Sequence, residues 1–355
     1  MKSLKPDNTK RPDIRVKFLS KLDSNIWLRQ FPGKTPQWDN CTFNFDPDCR
    51  EYDWLVVYED LPRKNTERFP VNEEVLSCPR ENTLFLTMEP STIKTYGRHY
   101  TAQYEYVITS QEEWALPHRN RIQLPPNLPW FYGLNSKEMF TYDMIAAVEN
   151  PDKSKLISTI CSAKKQKNTV HYQRYHFTHE LKKLLPELEI FGRGVREIDD
   201  KAESLDEYKY HIVIENFIGK NHFSEKLSDA FLGYTLPFYY GCPNADDYFM
   251  PESFINIDIY DLEGSLKIIT DAIKNDEFSK RLPFIRESRR RVLDEYNIFA
   301  VVSREINKRH KHHVKPSTPF ILRSRRALRK KHPHIAVLDI LGKFKNKLSI
   351  KRHRI

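Results

Sequence analysis

Glycine is scarce in this chain, with ten residues in 355. No GxGxxG or GxxxxGK[ST] loop can be assembled from them. That sets aside ordinary dinucleotide dehydrogenases and P-loop nucleotidases, which need glycine where the backbone closes on a phosphate. Long apolar runs are missing too: nothing reaches the roughly eighteen residues of a membrane-spanning helix. The opening MKSLKPDNTKRPD lacks the apolar stretch of a secretory signal, so the expectation is a soluble, cytosolic chain. The five cysteines (Cys41, Cys49, Cys78, Cys161, Cys242) are odd in number, widely spaced and without a CxxC pair. This argues against a disulfide framework or a zinc site and for reduced thiols. No metal site is expected either. The DxD match at Asp46 to Asp48 sits in a loop-like region with no second ligand group, and the run RHKHHVK (309–315) reads as solvated charge.

The formal net charge of +10 is unevenly divided. Residues 308–355 carry 16 Lys and Arg against the single acid Asp339, leaving 42 basic and 47 acidic residues in the first 307. A mildly acidic body therefore carries a strongly basic tail.

Within the body, short apolar runs alternate with helical stretches. IRVKFLS (14–20), WLVVYEDL (54–61), TLFLTME (83–89) and YEYVITS (104–110) read as buried strands. The proline-crowded HRNRIQLPPNLPWFYG (118–133) reads as an extended loop. A second series follows Asn150-Pro151: strands at 155–162, 187–194, 208–217, 235–241 and 253–260, and helices at 170–185, from Ser224, at 262–276 and across 279–309. Such alternation implies an α/β fold with parallel sheets covered on both faces, here two Rossmann-like domains facing one another. The expected division is 1–150, 151–310 and a basic amphipathic tail at 311–355. Ligands of such sheets sit beyond the carboxyl ends of the strands.

The richest cluster is IENFIGKNHFSEKL (214–227). Glu215 and Asn216 end an apolar strand, Ser224 precedes a helix as a natural N-cap, and Glu225 and Lys226 fall in its first turn. A helix start offers free N–H groups and positive potential, which suits a phosphate, and Lys226 adds a full charge. Taken alone, the same residues also describe an ordinary cap with a solvated lysine.

Four linked stretches, IEN (214–216), FSEKL (223–227), GYTLPFYYGCPN (233–244) and PESFINID (251–258), follow one another in the order and spacing of the alpha-1,3/1,4-fucosyltransferases, glycosyltransferase family 10, of bacterial or viral type. That family shows FEN, YxTEKL, VPVxxG and P-x-SFI. RYHFTHELKKLLPELEIFGRG (174–194) and LFLTMEPS (84–91) resemble further stretches of it, so the likeness runs over about 84–300 and is strongest at 208–258. The resemblance implies a GT-B fold, agreeing with the two-domain reading, and inverting transfer of L-fucose from GDP-fucose to a hydroxyl of an oligosaccharide or glycolipid acceptor, with no cofactor required. It implies Arg174 and Lys226 on the diphosphate, Glu225 near the fucose and ribose, and Glu215, Asn216 and Ser224 around the same donor pocket. His222 stands where the family usually has tyrosine. Both side chains can stack and hydrogen bond, so donor contact is expected there as well. Glu89, at a strand end and fixed by Pro90, matches the carboxylate that takes the acceptor proton; Glu112 and Glu113 are the runners-up.

In the tail, Val337, Leu338, Ile340, Leu341, Phe344 and Leu348 recur at three- and four-residue spacing among basic clusters. The pattern suits a helix lying on an anionic membrane surface through residues 322–355, giving a cytoplasmic, peripherally membrane-bound enzyme. Two other readings use the same features: a GT-B transferase for another nucleotide sugar, and a nucleic-acid-binding protein acting through its basic tail. The second is disfavoured, because no helix-turn-helix, aromatic RNA platform or zinc finger accompanies the tail.

Overall fold

Short buried runs become strands as their composition demands. The computed structural model describes residues 12–62, 71–126, 129–149, 152–163, 170–311 and 319–353. Its first half contains β1 (Ile14–Ser20), α1 (Ser24–Leu28), β2 (Gln37–Trp38), β3 (Cys41–Asn44), β4 (Trp54–Tyr58), β5 (Glu73–Val75), β6 (Thr83–Leu86), α2 (Arg98–Thr101), β7 (Tyr106–Thr109), β8 (Arg121–Gln123) and α3 (Tyr142–Ala146). Seven of the strands form one sheet in the order β2-β3-β1-β4-β6-β7-β8, parallel except for the β2–β3 pair. All five residues of β4 are buried, as befits a central strand covered on both faces. β8 lies inside the stretch expected to be loop; its three residues pair with β7 at the sheet edge before the prolines end it.

The second half contains β9 (Lys155–Ile160), α4 (Val170–Leu184), β10 (Leu188–Phe191), β11 (Tyr208–Ile214), α5 (Glu225–Leu232), β12 (Leu236–Tyr240), β13 (Ile255–Asn256), α6 (Leu262–Lys274), α7 (Glu277–Asp294) and α8 (Ile298–Asn307). Its sheet runs β10-β9-β11-β12-β13, entirely parallel. The expected strand at 253–260 contracts to β13, preceded by a 3-10 turn at Pro251–Ser253. Asn150 and Pro151, where the domain break was expected, lie outside the described residues.

Two crossings tie the halves together. Trp130, Tyr132 and Ile145, upstream of that break, pack into the core of the second sheet. Buried Arg29 reaches them from just after α1, donating to the carbonyls of Trp130 (3.1 Å) and Phe140 (2.8 Å) and to that of Tyr132. In the other direction, α8, within the span assigned to the second domain, contributes Ile298, Phe299, Val301, Val302 and Ile306 to the core of the first sheet. There the ring of Phe299 stacks on Phe31 at 4.0 Å and meets Phe43 edge-on at 4.9 Å.

The C-terminal segment is built into the fold. β14 (Ile321–Arg323) pairs antiparallel with β5, α9 (Arg325–Lys331) is capped by Ser324, and α10 (Pro333–His353) follows. Leu322, Leu328 and Ile335 pack with Leu55, Phe85 and Tyr96 in a core on the first sheet. Most of the histidine run (residues 312–315) lies outside the described residues.

Phe299→Ala is expected to destabilise the protein by about 3–5 kcal/mol. An unchanged urea midpoint in this variant would show that α8 does not complete the first core.

Candidate functional site

The site is assembled at the carboxyl end of the second sheet. Glu215 directly follows β11 and is buried, and its carboxylate is fully engaged: Oε1 accepts the Ser224 N–H at 2.8 Å and Oε2 accepts the Ser224 hydroxyl at 2.6 Å. The next strand passes so close that a Cβ on Gly241 would lie 2.6 Å from Glu215 Cγ and 2.3 Å from the Tyr239 hydroxyl, so glycine is required there. Glu215 therefore holds the loop that starts α5 and turns its carboxylate towards that loop.

Ser224 is the N-cap of α5, its Oγ accepting the Lys226 N–H at 3.3 Å. The Lys226 ammonium lies 2.9 Å from that hydroxyl, 3.2 Å from Glu225 and 3.6 Å from Glu215. Burial alone would raise the Glu225 carboxyl, but Lys226 and Lys201 outweigh it and hold the group well below the usual carboxylate range. Lys201 was not legible as a site residue. It stands 2.7 Å from Asp229 and 3.5 Å from Glu225, brought there by a 3-10 turn that Asp200 and Glu203 close as a capping box. Burial would lower Lys201, yet Asp229 and Glu225 keep it charged. The Asp200-x-x-Glu203 spacing was the available signal.

Arg174, on α4, is buried and donates from Nη1 to Asn216 Oδ1 at 2.8 Å. No carboxylate among the described residues forms an ion pair with it, and its Nε has no hydrogen-bond partner there. A buried guanidinium with spare donors is suited to an anionic group. Arg174 and Lys226 thus lie on either side of the Glu215-Asn216 pair. A cavity of about 280 Å³ opens at the ends of β12 and β13, lined in part by Tyr240, Gly241, Pro243, Asp246 and Asn256; none of the cluster lines it, though its Gly241 packs against Glu215. A larger open cavity of about 660 Å³, between Trp38 and α8, contains none of the cluster.

His222, expected at the donor, is buried at a contact between the two halves. Its Nδ1 and the Ser110 hydroxyl, in the loop after β7, are 2.8 Å apart, and its ring meets Phe217 edge-on. Burial, with Lys226 adding and Glu225 opposing, lowers its pKa to about 4, so it is neutral near pH 7.

Glu89 lies on the first sheet, half-buried in the loop after β6. Burial raises its pKa, and the negative charge of Glu225 adds to that while Lys226 opposes it. Its backbone is fixed on both sides: the N–H donates to the Tyr96 hydroxyl at 3.1 Å, and the carbonyl accepts from Gln111 at 2.7 Å. The Tyr96 hydroxyl donates in turn to Glu59, which also accepts the Met88 N–H at 2.9 Å and pairs with Lys94. Of the runners-up, Glu112 is partly buried and Glu113 is exposed. Among the described residues no group of three or more His, Cys, Asp or Glu side chains is placed to hold a metal ion. Asp46 spends an oxygen on the Asp48 N–H within a turn.

Residues 150–280, which contain Arg174 and the whole 215–226 cluster, match the family model described as glycosyltransferase family 10 (fucosyltransferase) C-term. An alpha-(1,3)-fucosyltransferase of Helicobacter pylori is 37% identical over 60 residues, 17% of this chain and 13% of that protein. The human 4-galactosyl-N-acetylglucosaminide 3-alpha-L-fucosyltransferase 9 is 27% identical over 173 residues, 45% of this chain and 47% of that protein. The matched region thus spans about half or less of these relatives. The crystal structure of an alpha1,3-fucosyltransferase superposes with a TM-score of 0.50 at 16% identity, covering 90% of this chain and 96% of that one. The fold is of the GT-B type.

His222 sets a pH signature. Its folded-state pKa near 4 lies below the ordinary 6.5, so between these values the unfolded chain binds more protons. Stability is therefore complete above about pH 6.5 and is lost as pH falls through 4, by up to about 3 kcal/mol from this group. His211, buried beside Ser158 and lowered to about 3, acts in the same window. The measure is accordingly the difference between the parent and His222→Gln in chemical denaturation from pH 7 to 4. Identical pH slopes would show that His222 titrates normally.

Proposed function

We propose that this chain, a member of glycosyltransferase family 10 (fucosyltransferase) through its domain at 150–280, transfers L-fucose from GDP-fucose to a hydroxyl of a glycan acceptor with inversion. The observation that carries the reading is the cationic helix start, where Lys226 lies against the Ser224 cap and Glu225 while the buried Arg174 guanidinium holds Asn216 beside Glu215. The acceptor hydroxyl gives its proton to the Glu89 carboxylate as its oxygen attacks the sugar carbon. The bond from that carbon to the diphosphate breaks on the opposite face, and GDP departs.

Each residue meets a charge that develops in this step. Negative charge on the departing diphosphate meets the Arg174 guanidinium, the Lys226 ammonium and the free N–H groups of α5. Positive charge at the sugar carbon meets the ionised Glu225, which Lys201 and Lys226 keep deprotonated. The raised pKa of Glu89 suits a general base, which works best when its pKa lies close to the working pH. Glu215, Ser224 and Asn216 act by placement: Glu215 fixes Ser224 and thereby the start of α5, while Asn216 orients Arg174. His222 contributes to the donor pocket by closing the contact to Ser110 above it.

The C-terminal helices support a peripheral place at the cytoplasmic face of a membrane. On α10, Val337, Leu338, Ile340, Leu341, Phe344 and Leu348 are 45–62% exposed and are interleaved with Lys343, Lys345 and Lys347. Apolar exposure with cationic flanks fits an anionic lipid surface, and a glycolipid acceptor would lie in it. No helix among the described residues is long and apolar enough to cross a membrane.

GDP and GDP-fucose should raise thermal stability, by about 2.7 kcal/mol at a hundredfold excess over Kd; a shift with UDP-sugars alone, or with no nucleotide, would overturn the donor assignment. Lys226→Ala should lose both this shift and transfer, whereas Glu89→Gln should keep the shift and lose transfer by about 10²–10⁴-fold. Binding to phosphatidylserine vesicles should fall steeply between low and high salt and be lost in a Leu341→Glu, Phe344→Glu double variant. Equal binding to neutral and anionic vesicles, or to duplex DNA in preference to both, counts against the membrane role.

A further inference from the structure

The loop that carries Glu89 is not held by the first sheet alone. Residues 94–97 form its outer arm, and the C-terminal helices lie against that arm. The Asn346 side chain, on α10, donates to the Thr95 hydroxyl at 3.3 Å. Two helical turns earlier, Asp339 sits over Gly97, where a Cβ would meet its carboxylate at 2.6 Å and the backbone is left-handed, with φ of +85°. Asp339 is held in place by Arg329 of α9 at 2.7 Å, and Ile335 packs into the core below. Ile335, Asp339 and Asn346 are all buried, at four- and seven-residue spacing, and make the inner face of α10.

Between Thr95 and Gly97 lies Tyr96, the residue whose hydroxyl takes the backbone N–H of both Met88 and Glu89. Lys94 and Arg325 of α9 approach the ring of Tyr96, at 5.0 and 5.9 Å from its centroid. Its other anchor, Glu59, carries a left-handed backbone at φ of +73°, uncommon for a residue other than glycine or asparagine. A continuous set of contacts therefore runs from α10 through Thr95 and Gly97 to Tyr96 and on to the backbone of Glu89.

We propose that α9 and α10 are positioning elements for Glu89, with Asp339, Asn346 and Tyr96 as the positioning residues, so that the C-terminal segment belongs to the acceptor half of the active site. The inference rests on Glu89 being the general base. A structural tail would affect stability or surface binding only; a positioning tail affects proton transfer, because a small displacement of the carboxylate away from the acceptor hydroxyl slows the step steeply.

The test uses the full-length protein with a soluble oligosaccharide acceptor, so that surface recruitment does not enter. Asp339→Ala and Asn346→Ala should each lower kcat by about tenfold while leaving the KM for GDP-fucose and the GDP-induced thermal shift within about twofold of the parent. A loosened loop exposes Glu89 to water and lowers its pKa towards the ordinary value, so the acid-side midpoint of the kcat profile should move to lower pH in both variants. Tyr96→Phe, which removes only the hydroxyl, should give the same displacement. Asn346→Ala keeps the test open should Asp339→Ala fail to fold. Parent-like kcat and pH midpoint in the α10 variants, with Glu89→Gln inactive, overturn the inference and leave the base assignment standing. An active Glu89→Gln overturns both.

Discussion

The engagement of the Glu215 carboxylate by Ser224 is the constraint on which the site depends. A buried carboxylate must find donors, and the two available to Glu215 are the N–H and hydroxyl of the residue that caps α5. Satisfying it fixes the helix start relative to the strand end, and with it the positions of Glu225 and Lys226. The glycine at 241 follows from the same demand, since only a residue without a side chain lets β12 pass the carboxylate. Much of the local electrostatics then follows. Lys226 and Lys201 keep Glu225 ionised, and the charge on Glu225 adds to burial in raising Glu89.

The division of roles between the two sheets has a physical basis. The second sheet presents cations and helix N–H groups, which the proposed reading assigns to a diphosphate; the first presents a carboxylate whose charged form is disfavoured, which it assigns to proton acceptance. His222 joins them while remaining neutral, so that no further charge enters a cleft where charge balance matters.

Most strands were legible because their residues are apolar on both faces, and β1 and β9 begin where their patterns begin. Those missed, β2, β3, β5, β8 and β14, are two to four residues long, too short for an alternation or an apolar run to show. The cluster from Glu215 to Lys226 could be read as one unit because it is nearly contiguous in sequence. Arg174 came only through family resemblance, since a helical arginine beside lysines carries no mark of burial. Ser110 and Tyr96 were not legible at all, and Lys201 only through the capping-box spacing around it: their importance lies in contacts with residues far along the chain. The apolar face of α8 announced burial but not against which sheet, because periodicity states that a face is covered and is silent about what covers it.

The return of α8 has a consequence for synthesis. Phe31, Phe43 and Trp27 finish their packing against residues 298–306, and β5 waits for a partner strand at 321–323. The sheet translated first is therefore completed last. While the ribosome makes the 174 residues between β8 and α8 (124–297), one aromatic face of that sheet has no cover. The second sheet, whose core draws on Trp130 through Leu293, can close before it. The sheet that emerges first is the one whose core and strand pairing wait for the last residues.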